Sequence, residues 1–169
     1  MNIVRQEIAS NDWKSSITAL DTEGRRIGTN LTDHEVRVRL ACEELVMITY
    51  RWADEGRRAD VADLFVDDGS IELGGHLMQG RDTIRTALRA RDEGVHRRTH
   101  HVVTNFEFRL ASPDRAVTRV ALLVYALSGA DEHELAPRCV AVSEDHLVLG
   151  EDGGWRFAKR VTTLLAGEA

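Results

Sequence analysis

The sequence predicts an α+β fold in which a strongly curved, mainly antiparallel sheet forms a cone-shaped barrel around one long amphipathic helix. Two observations lead to this prediction. Helical segments dominate the first part of the chain, and four long strand-like segments with short turns between them dominate the last part. Runs of helices followed by runs of strands are typical of an α+β domain, and a sheet curved in this way leaves a ligand pocket at its open end.

Three helices are predicted. Thr32 or Asp33 can cap the first, which continues for about 22 residues and ends near Gly56. A shorter helix is expected over residues 59–65, ending at the acidic turn VDDGS, and a third over residues 83–92. The apolar period of the first helix predicts that its inward face carries Val36, Leu40, Leu45, Ile48 and Trp52.

The strands begin with a hairpin. Residues 70–73 and 76–79 form its two arms, and a pair of glycines makes the turn between them. The longer strand-like segments are residues 99–110, 116–128, 137–149 and 155–165. Together with the helices, these strands are expected to form a core that includes Leu40, Ile48, Phe65, Leu88, Val120, Leu122, Val140 and Phe157.

Composition excludes several classes of function. The chain of 169 residues carries a formal charge of -6 and only three Trp, two Tyr and four Phe, a poor basis for nucleic-acid binding. No apolar run reaches the roughly 20 residues of a membrane helix, and the N-terminus lacks the apolar segment of a signal peptide. We therefore expect a cytoplasmic protein without a nucleic-acid or membrane partner.

Residues 1–30 are interpreted as an N-terminal extension and residues 31–169 as a single domain.

Neither a metal nor an organic cofactor is expected. The sequence contains no GxGxxG or Walker pattern for a nucleotide, no CxxC pair, and no HxH or HExxH pattern for zinc. Adjacent histidines on a strand diverge, which disfavours a shared metal ion. The residue types that could serve as metal ligands or reactive thiols are at His76, His96, His100, His101, Cys42 and Cys139.

Helix and strand geometry place polar residues on common faces. Tyr50 lies four residues before Asp54, so both side chains project from one face of the first helix. On the first long strand, His100 and His101 point to opposite sides, and alternation carries Asn105 to the side of His101. Periodicity alone leaves open which histidine faces the pocket, because both faces of this strand carry apolar residues. Asn105 either binds a ligand or serves the sheet.

Three polar residues on the later strands are further candidates for substrate binding. Ser143 and Asp145 share one face of the third long strand, and Arg160 lies on the last strand. Asp145 can bind a substrate hydroxyl, or it can form an ion pair with Arg160 between neighbouring strands. The sequence leaves both interpretations open.

Four strings suggest a family. They are ITYRWADEGRRADVADLFVDDGSIEL, QGRDTIRTAL, RRTHHVVTNFEF and GGWRFAKR, in this order along the chain. Their order resembles the SnoaL-like group of the nuclear transport factor 2-like superfamily over residues 33–163, and especially the branch of scytalone dehydratase and hexachlorocyclohexane dehydrochlorinase. The resemblance is specific for a fold and not for one reaction, because the superfamily supports many chemistries.

The resemblance implies a catalytic pair. By position in the motifs, Asp54 on the first helix would orient His101 on the following strand, and His101 would act as a general base. Tyr50 would donate a hydrogen bond to a substrate oxygen, as tyrosines do in the dehydratases, or it would belong to the core with its hydroxyl bonded locally. The implied function is a cofactor-independent lyase or isomerase that acts on a small, fairly apolar cyclic or polyketide-like metabolite.

Other functions stay open on the same fold. The chain could be a non-catalytic ligand-binding or assembly module, such as the small subunit of a ring-hydroxylating dioxygenase, or it could be a polyketide cyclase. Assembly is expected in each case, because the segments ALLVYAL and CVAVSEDHLVL carry apolar residues on both strand faces. We expect a homodimer or homotrimer packed through the sheet, as the resemblance also implies.

Overall fold

The computed structural model describes residues 31–94, 99–126 and 136–167. The predicted extension over residues 1–30, the side chain of His96 and the predicted strand end at residues 127–128 lie outside the described residues. The elements, in chain order, are helix α1 (Asp33–Asp54), a 3₁₀ helix (Arg58–Leu64), strands β1 (Phe65–Leu73) and β2 (His76–Gln79), helix α2 (Arg81–Gly94), and strands β3 (Thr99–Ser112), β4 (Arg115–Ala126), β5 (Cys139–Leu149) and β6 (Trp155–Gly167).

The six strands form one sheet in the order β2-β1-β6-β5-β4-β3. Only the contact between β1 and β6 is parallel, and the other neighbouring strands pair antiparallel. The α+β prediction with a curved, mainly antiparallel sheet is therefore confirmed. No helix within the described ranges is long and apolar enough to cross a membrane.

Helix α1 contributes one face to the core, and this face differs from the predicted one. Val38, Cys42 and Val46 are buried against the sheet, whereas Leu40 is 60% exposed and Val36 is also exposed. The expected inward face was therefore wrong for Val36 and Leu40, whereas Leu45 and Trp52 do pack against the core. Residues two apart on a helix lie on nearly opposite sides, and α1 carries apolar residues on both, so periodicity alone did not separate the two sides.

The rest of the predicted core is largely present. Phe65, Val120, Leu122 and Phe157 are buried, and Leu88 packs against them from α2. Ile48 and Val140 are only half-buried and stand outside the core cluster. On β5 the inward residues are Cys139, Ala141, Ser143, Asp145 and Leu147, so strand alternation turns Val140 to the opposite face.

The acidic segment VDDGS is part of a strand and not the predicted turn. Strand β1 starts at Phe65, which pairs with Phe157, whereas Ser70 pairs with Lys159. The chain thus advances five residues along β1 but only two along β6 between these two pairs. The additional residues of β1 form an irregularity of the β-bulge type. The acidic residues suggested a turn by composition, but residues 66–69 form the irregularity within β1, and only Ser70 of the segment is paired with β6.

The orientation of α1 can be tested with two alanine substitutions. Val46→Ala removes two buried methyl groups and should lower the free energy of unfolding by about 2 kcal/mol. Leu40→Ala removes a larger but exposed side chain and should change it by less than about 0.5 kcal/mol. Urea denaturation followed by circular dichroism measures both, and a larger loss for Leu40→Ala would contradict the observed orientation.

Candidate functional site

A cavity of about 270 Å³ lies between α1, the 3₁₀ helix, α2 and the sheet. Much of its wall is apolar, formed by Ala53, Val61, Ile71, Leu73, Leu88, Leu122, Val124, Ala141 and Leu164. Three residues predicted for the site, Tyr50, His101 and Arg160, also line it. An apolar cavity with a few convergent polar groups is the usual form of a small-molecule site.

Asp54 and His101 meet at the edge of this cavity. Asp54 is the last residue of α1 and His101 the third residue of β3, and their side-chain atoms Oδ1 and Nδ1 lie 2.5 Å apart. The backbone N–H of His101 donates to Oδ2 of Asp54 over 2.9 Å. The same carboxylate therefore contacts both the ring and the backbone of His101, which holds the imidazole in one orientation.

His101 and not His100 faces the cavity. The His101 side chain is 15% exposed, whereas that of His100 is 63% exposed, although its Nδ1 atom lies 3.7 Å from Oδ2 of Asp54. Asp54 itself stands behind the imidazole and does not line the cavity. Because Asp54 occupies Nδ1, Nε2 is the ring nitrogen available to a bound molecule.

The surroundings of His101 favour its neutral form. Burial lowers its pKa below the ordinary value, Asp54 opposes this shift, and the positive charge of Arg58 adds to it. The net direction is downward, so at neutral pH the imidazole carries no charge. A neutral imidazole with one nitrogen oriented by a carboxylate can accept a proton at the other nitrogen.

Tyr50 lies beside the imidazole, with its ring centroid 5.4 Å from that of His101. Its hydroxyl is buried and has no hydrogen-bond partner of regular geometry among the described residues, although Ser143 is near enough to lower its pKa slightly. Burial dominates and raises the pKa of Tyr50, so the phenol stays protonated. The hydroxyl is therefore a protonated donor that makes no regular hydrogen bond within the described part of the chain.

Asp145 was expected either to bind a substrate hydroxyl or to form an ion pair with Arg160, and the structure contains the ion pair. Nε of Arg160 donates to Oδ1 of Asp145 over 2.6 Å, and a terminal nitrogen donates to Oδ2 over 3.0 Å. Both side chains are buried, and the guanidinium also lies 5.2 Å from the centroid of the Tyr50 ring. Asp145 is thereby occupied by Arg160, and only Arg160 reaches the cavity wall.

Two other residues that were predicted to contact a ligand do not line the cavity. Ser143 is buried against Thr162, with their hydroxyl oxygens 3.2 Å apart, and it does not line the cavity. Asn105 is exposed, also lies outside the cavity wall, and has a φ of 52°. The pairing of β3 with β4 shifts between Thr104 and Glu107, so Asn105 lies in a β-bulge.

The bulge explains why alternation misplaced Asn105. Before it, His101 and Val103 face inward, and after it the inward residues are Phe106, Phe108 and Leu110. The parity of the strand therefore changes at the bulge. Asn105 adopts the left-handed conformation that asparagine tolerates better than most residues, which is a backbone role.

Sequence reasoning missed a polar network behind Asp54. Thr99 donates to Oδ1 of Asp54 over 3.2 Å and accepts a 2.7 Å hydrogen bond from Arg58. Arg58 also donates to both carboxylate oxygens of Asp92, through a side-chain nitrogen over 2.8 Å and through its backbone N–H over 3.0 Å. Thr99 could have been found, because it shares strand parity with His101, but no local pattern links it to Arg58 or Asp92.

No cluster of three or more histidine, cysteine, aspartate or glutamate side chains within the described ranges has a geometry suited to a metal ion. Cys42 is buried in α1, and burial raises its pKa to about 12, which keeps the thiol protonated. Cys139 lies on the cavity wall, and burial raises its pKa as well. Neither cysteine has the character of a reactive thiolate.

Comparisons with known proteins agree with this architecture. The sequence matches the family model of the SnoaL-like domain over residues 34–161, and the chain belongs to this family. No curated protein matches it significantly.

Solved structures show the same fold. A protein of unknown function from Mycobacterium tuberculosis aligns with a TM-score of 0.67 and 23% identity, covering 78% of this chain and 74% of that one. A candidate scytalone dehydratase from Novosphingobium aromaticivorans aligns with a TM-score of 0.65 and 21% identity, covering 80% of this chain and 89% of that one. A Catenulispora acidiphila protein, solved in complex with S-DNPA, aligns with a TM-score of 0.64 and 21% identity, covering 76% of this chain and 94% of that one. At these identities, the likeness concerns the fold alone.

The charges around His101 predict opposite effects of two substitutions on its pKa. Asp54→Asn should lower the pKa further, because the carboxylate stabilises the imidazolium form. Arg58→Gln should raise it, because the guanidinium disfavours that form. Histidine NMR titration, with His101→Ala used to assign the signal, measures both shifts. Shifts of the same sign would contradict this electrostatic account.

Proposed function

We propose that this SnoaL-like protein is a cofactor-independent lyase or isomerase that abstracts a proton from a small, fairly apolar cyclic or polyketide-like metabolite. The observation that supports this most is the contact of 2.5 Å between Asp54 and His101, with His101 on the wall of an apolar cavity. His101 is the general base, and Asp54 orients its ring. The low pKa of His101 keeps the base in its working form at neutral pH.

A dehydration illustrates the chemistry. Nε2 of His101 takes a proton from the carbon next to a carbonyl group, and the electron pair of that C–H bond forms an enolate. When the enolate collapses, a carbon–carbon double bond forms and the bond to the β-hydroxyl breaks. The imidazolium returns its proton to the leaving hydroxide, so water departs and His101 is neutral again. An isomerisation would instead return the proton to a different carbon.

Tyr50 is proposed to stabilise the oxygen on which negative charge develops. Its hydroxyl is buried beside His101 and lacks a regular partner among the described residues, so a ligand oxygen would satisfy it. A preorganised donor in a low-dielectric site stabilises an enolate more than the ketone from which it forms. Arg160 places its guanidinium on the same wall, with its charge balanced by Asp145.

Among the residues expected to bind substrate, only Arg160 keeps that role in the proposal. Asp145 acts through Arg160, because the ion pair holds the guanidinium in place. Ser143 supports the strand beside it through Thr162, and Asn105 forms the bulge. These three are therefore assigned to positioning and folding, and not to ligand contact.

The base can be tested in a screen of cyclic β-hydroxy ketones, in which loss of water creates an enone with strong ultraviolet absorbance. His101→Ala should reduce kcat/KM by about 10²- to 10⁴-fold, the range typical of a lost general base. Asp54→Asn should reduce it less, because the base stays in place with a disturbed orientation. The matched control is His146→Ala, since this histidine is partly exposed and pairs with Glu144 away from the cavity.

The pH profile gives a second measurement on the same substrates. Because protonated His101 cannot accept a proton, activity should rise with pH through its pKa, with a midpoint below the ordinary imidazole value of about 6.5.

The melting temperature of His101→Ala should stay within a few degrees of that of the unsubstituted protein. Full turnover by His101→Ala would contradict the proposal, and ligand binding without turnover in any protein form would favour a non-catalytic binding module.

We also propose that copies of the chain associate through the outer face of the sheet as a homodimer or homotrimer. Leu123 pairs with Val140 and Ala121 with Val142 in neighbouring strands, and these four side chains point away from the core. All four are only half-buried in the single chain. A contiguous apolar patch of this kind is typical of an interface between subunits.

Assembly can be tested with one charge in this patch. Val142→Glu should shift the protein to the monomer in size-exclusion chromatography with light scattering, because a carboxylate would be buried without a partner. Leu77→Glu is the matched control, since it places the same charge on an exposed apolar position of β2. A monomeric unsubstituted protein at micromolar concentration would contradict the proposal.

A further inference from the structure

The hydroxyl group of Thr99 lies between two charged groups. Its oxygen accepts a hydrogen bond of 2.7 Å from a terminal nitrogen of Arg58, and it lies 3.2 Å from Oδ1 of Asp54. A guanidinium can only donate hydrogen bonds, and a threonine hydroxyl carries a single proton. Because Arg58 uses the oxygen as an acceptor, that proton points away from Arg58 and towards the carboxylate of Asp54.

Arg58 is fixed from its other side by Asp92. A terminal nitrogen of Arg58 donates to Oδ1 of Asp92 over 2.8 Å, and the backbone N–H of Arg58 donates to Oδ2 over 3.0 Å. The Arg58 side chain is only 17% exposed, so water screens this pair weakly. Two contacts with one carboxylate leave the guanidinium little freedom to turn away from Thr99.

Asp54 therefore accepts hydrogen bonds and has none to donate. Besides the hydroxyl of Thr99, the backbone N–H of His101 donates to it over 2.9 Å, and Nδ1 of His101 lies 2.5 Å from Oδ1. The proton between Oδ1 and Nδ1 then belongs to the imidazole. Neutral His101 consequently carries its free electron pair on Nε2, the ring nitrogen available to the cavity.

A competing partner for Asp54 lies close by. Nδ1 of His100 is 3.7 Å from Oδ2 of Asp54, and the His100 side chain is 63% exposed. A carboxylate that lost its hydrogen bond to Thr99 would be free to turn towards His100. Nδ1 of His101 would then have a weaker acceptor, and the proton would be free to occupy Nε2 instead.

We propose that Thr99 and Arg58 are positioning residues, which keep Asp54 turned to His101 so that the neutral imidazole holds its proton on Nδ1 and its free electron pair on Nε2. This inference rests on the proposed function and adds two residues to the site of that reaction. Arg58 acts through the hydroxyl of Thr99, since a hydroxyl that accepts a charged hydrogen bond is a stronger donor.

Nitrogen NMR of the imidazole groups gives a readout that does not depend on turnover. Long-range ¹H–¹⁵N spectra distinguish a protonated ring nitrogen from one with a free electron pair, and His101→Ala assigns the signals. At a pH where His101 is neutral, the unsubstituted protein should show mainly the form with the proton on Nδ1. Thr99→Val keeps the shape of the side chain, and it should shift the ratio of the two forms about tenfold towards Nε2.

Kinetics on the β-hydroxy ketone substrates give the second readout. Thr99→Val should lower kcat about tenfold and leave KM within about twofold, because the hydroxyl acts on the base and not on the ligand. Thr99→Ser should restore both kcat and the ratio of the two forms, since serine keeps the hydroxyl. A raised KM with unchanged kcat would show that Thr99 contacts the ligand, and would overturn the inference.

The matched control is Thr104→Val on the same strand. The hydroxyl of Thr104 donates to the backbone carbonyl of Ala121 over 3.4 Å, and this residue does not line the cavity. Its substitution removes the same group from β3 without touching Asp54. It should leave kcat and the NMR signals of His101 unchanged, and an effect equal to that of Thr99→Val would contradict the positioning role.

Arg58→Met tests the link from Arg58 to Thr99 and provides a second variant where Thr99→Val folds poorly. Alone, it should shift the ratio of the two His101 forms in the same direction as Thr99→Val. In the Thr99→Val protein it should add less than about twofold, because the hydroxyl through which it acts is gone. Fully additive shifts would overturn this link.

The NMR measurement separates the inference from the proposed lyase activity. An unchanged ratio in Thr99→Val and Arg58→Met, or an unsubstituted protein with the proton mainly on Nε2 of His101, would overturn the inference. Turnover that is lost in His101→Ala would still support proton abstraction in that case. Shifted ratios in a protein that converts no substrate would support the positioning role while contradicting the lyase.

Discussion

One row of side chains on helix α1 determines the geometry of the rest of the molecule. Val38, Cys42, Val46, Tyr50 and Asp54 are each four residues apart, and therefore lie along a single ridge of the helix. The first four are buried on the sheet, and the fifth meets His101 at the start of β3. Packing of the helix and placement of the Asp54–His101 contact are consequently one constraint, since a rotation of α1 would break both.

The buried ion pair under this ridge serves the site through rigidity. Removing two charges from water is costly, and the attraction between them offsets this only when the geometry is good. Asp145 accepts two hydrogen bonds from Arg160, and the guanidinium lies against the rings of Tyr50 and Phe157. The pair fixes the guanidinium of Arg160 on the cavity wall while its carboxylate partner stays outside that wall.

The network behind Asp54 joins elements that are distant in the chain. Arg58 in the 3₁₀ helix contacts Asp92 of α2 and Thr99 of β3, and Thr99 contacts Asp54. The orientation of His101 thus depends on α1, the 3₁₀ helix and α2 together.

The sequence by itself determined most of the elements and the fold class, because hydrophobic period and capping are local signals, whereas the pair of Asp54 and His101 was implied by the family resemblance. Tyr50 and Asp54 already marked the ridge, and four-residue steps back from them lead to the buried face. Only the tertiary structure decided which side of α1 packs inward, since both sides are apolar. It also decided the placement of Asn105, because a bulge depends on pairing with β4, and it revealed Arg58, whose partners lie 34 and 41 residues away. Such contacts form only when the sheet and helices assemble.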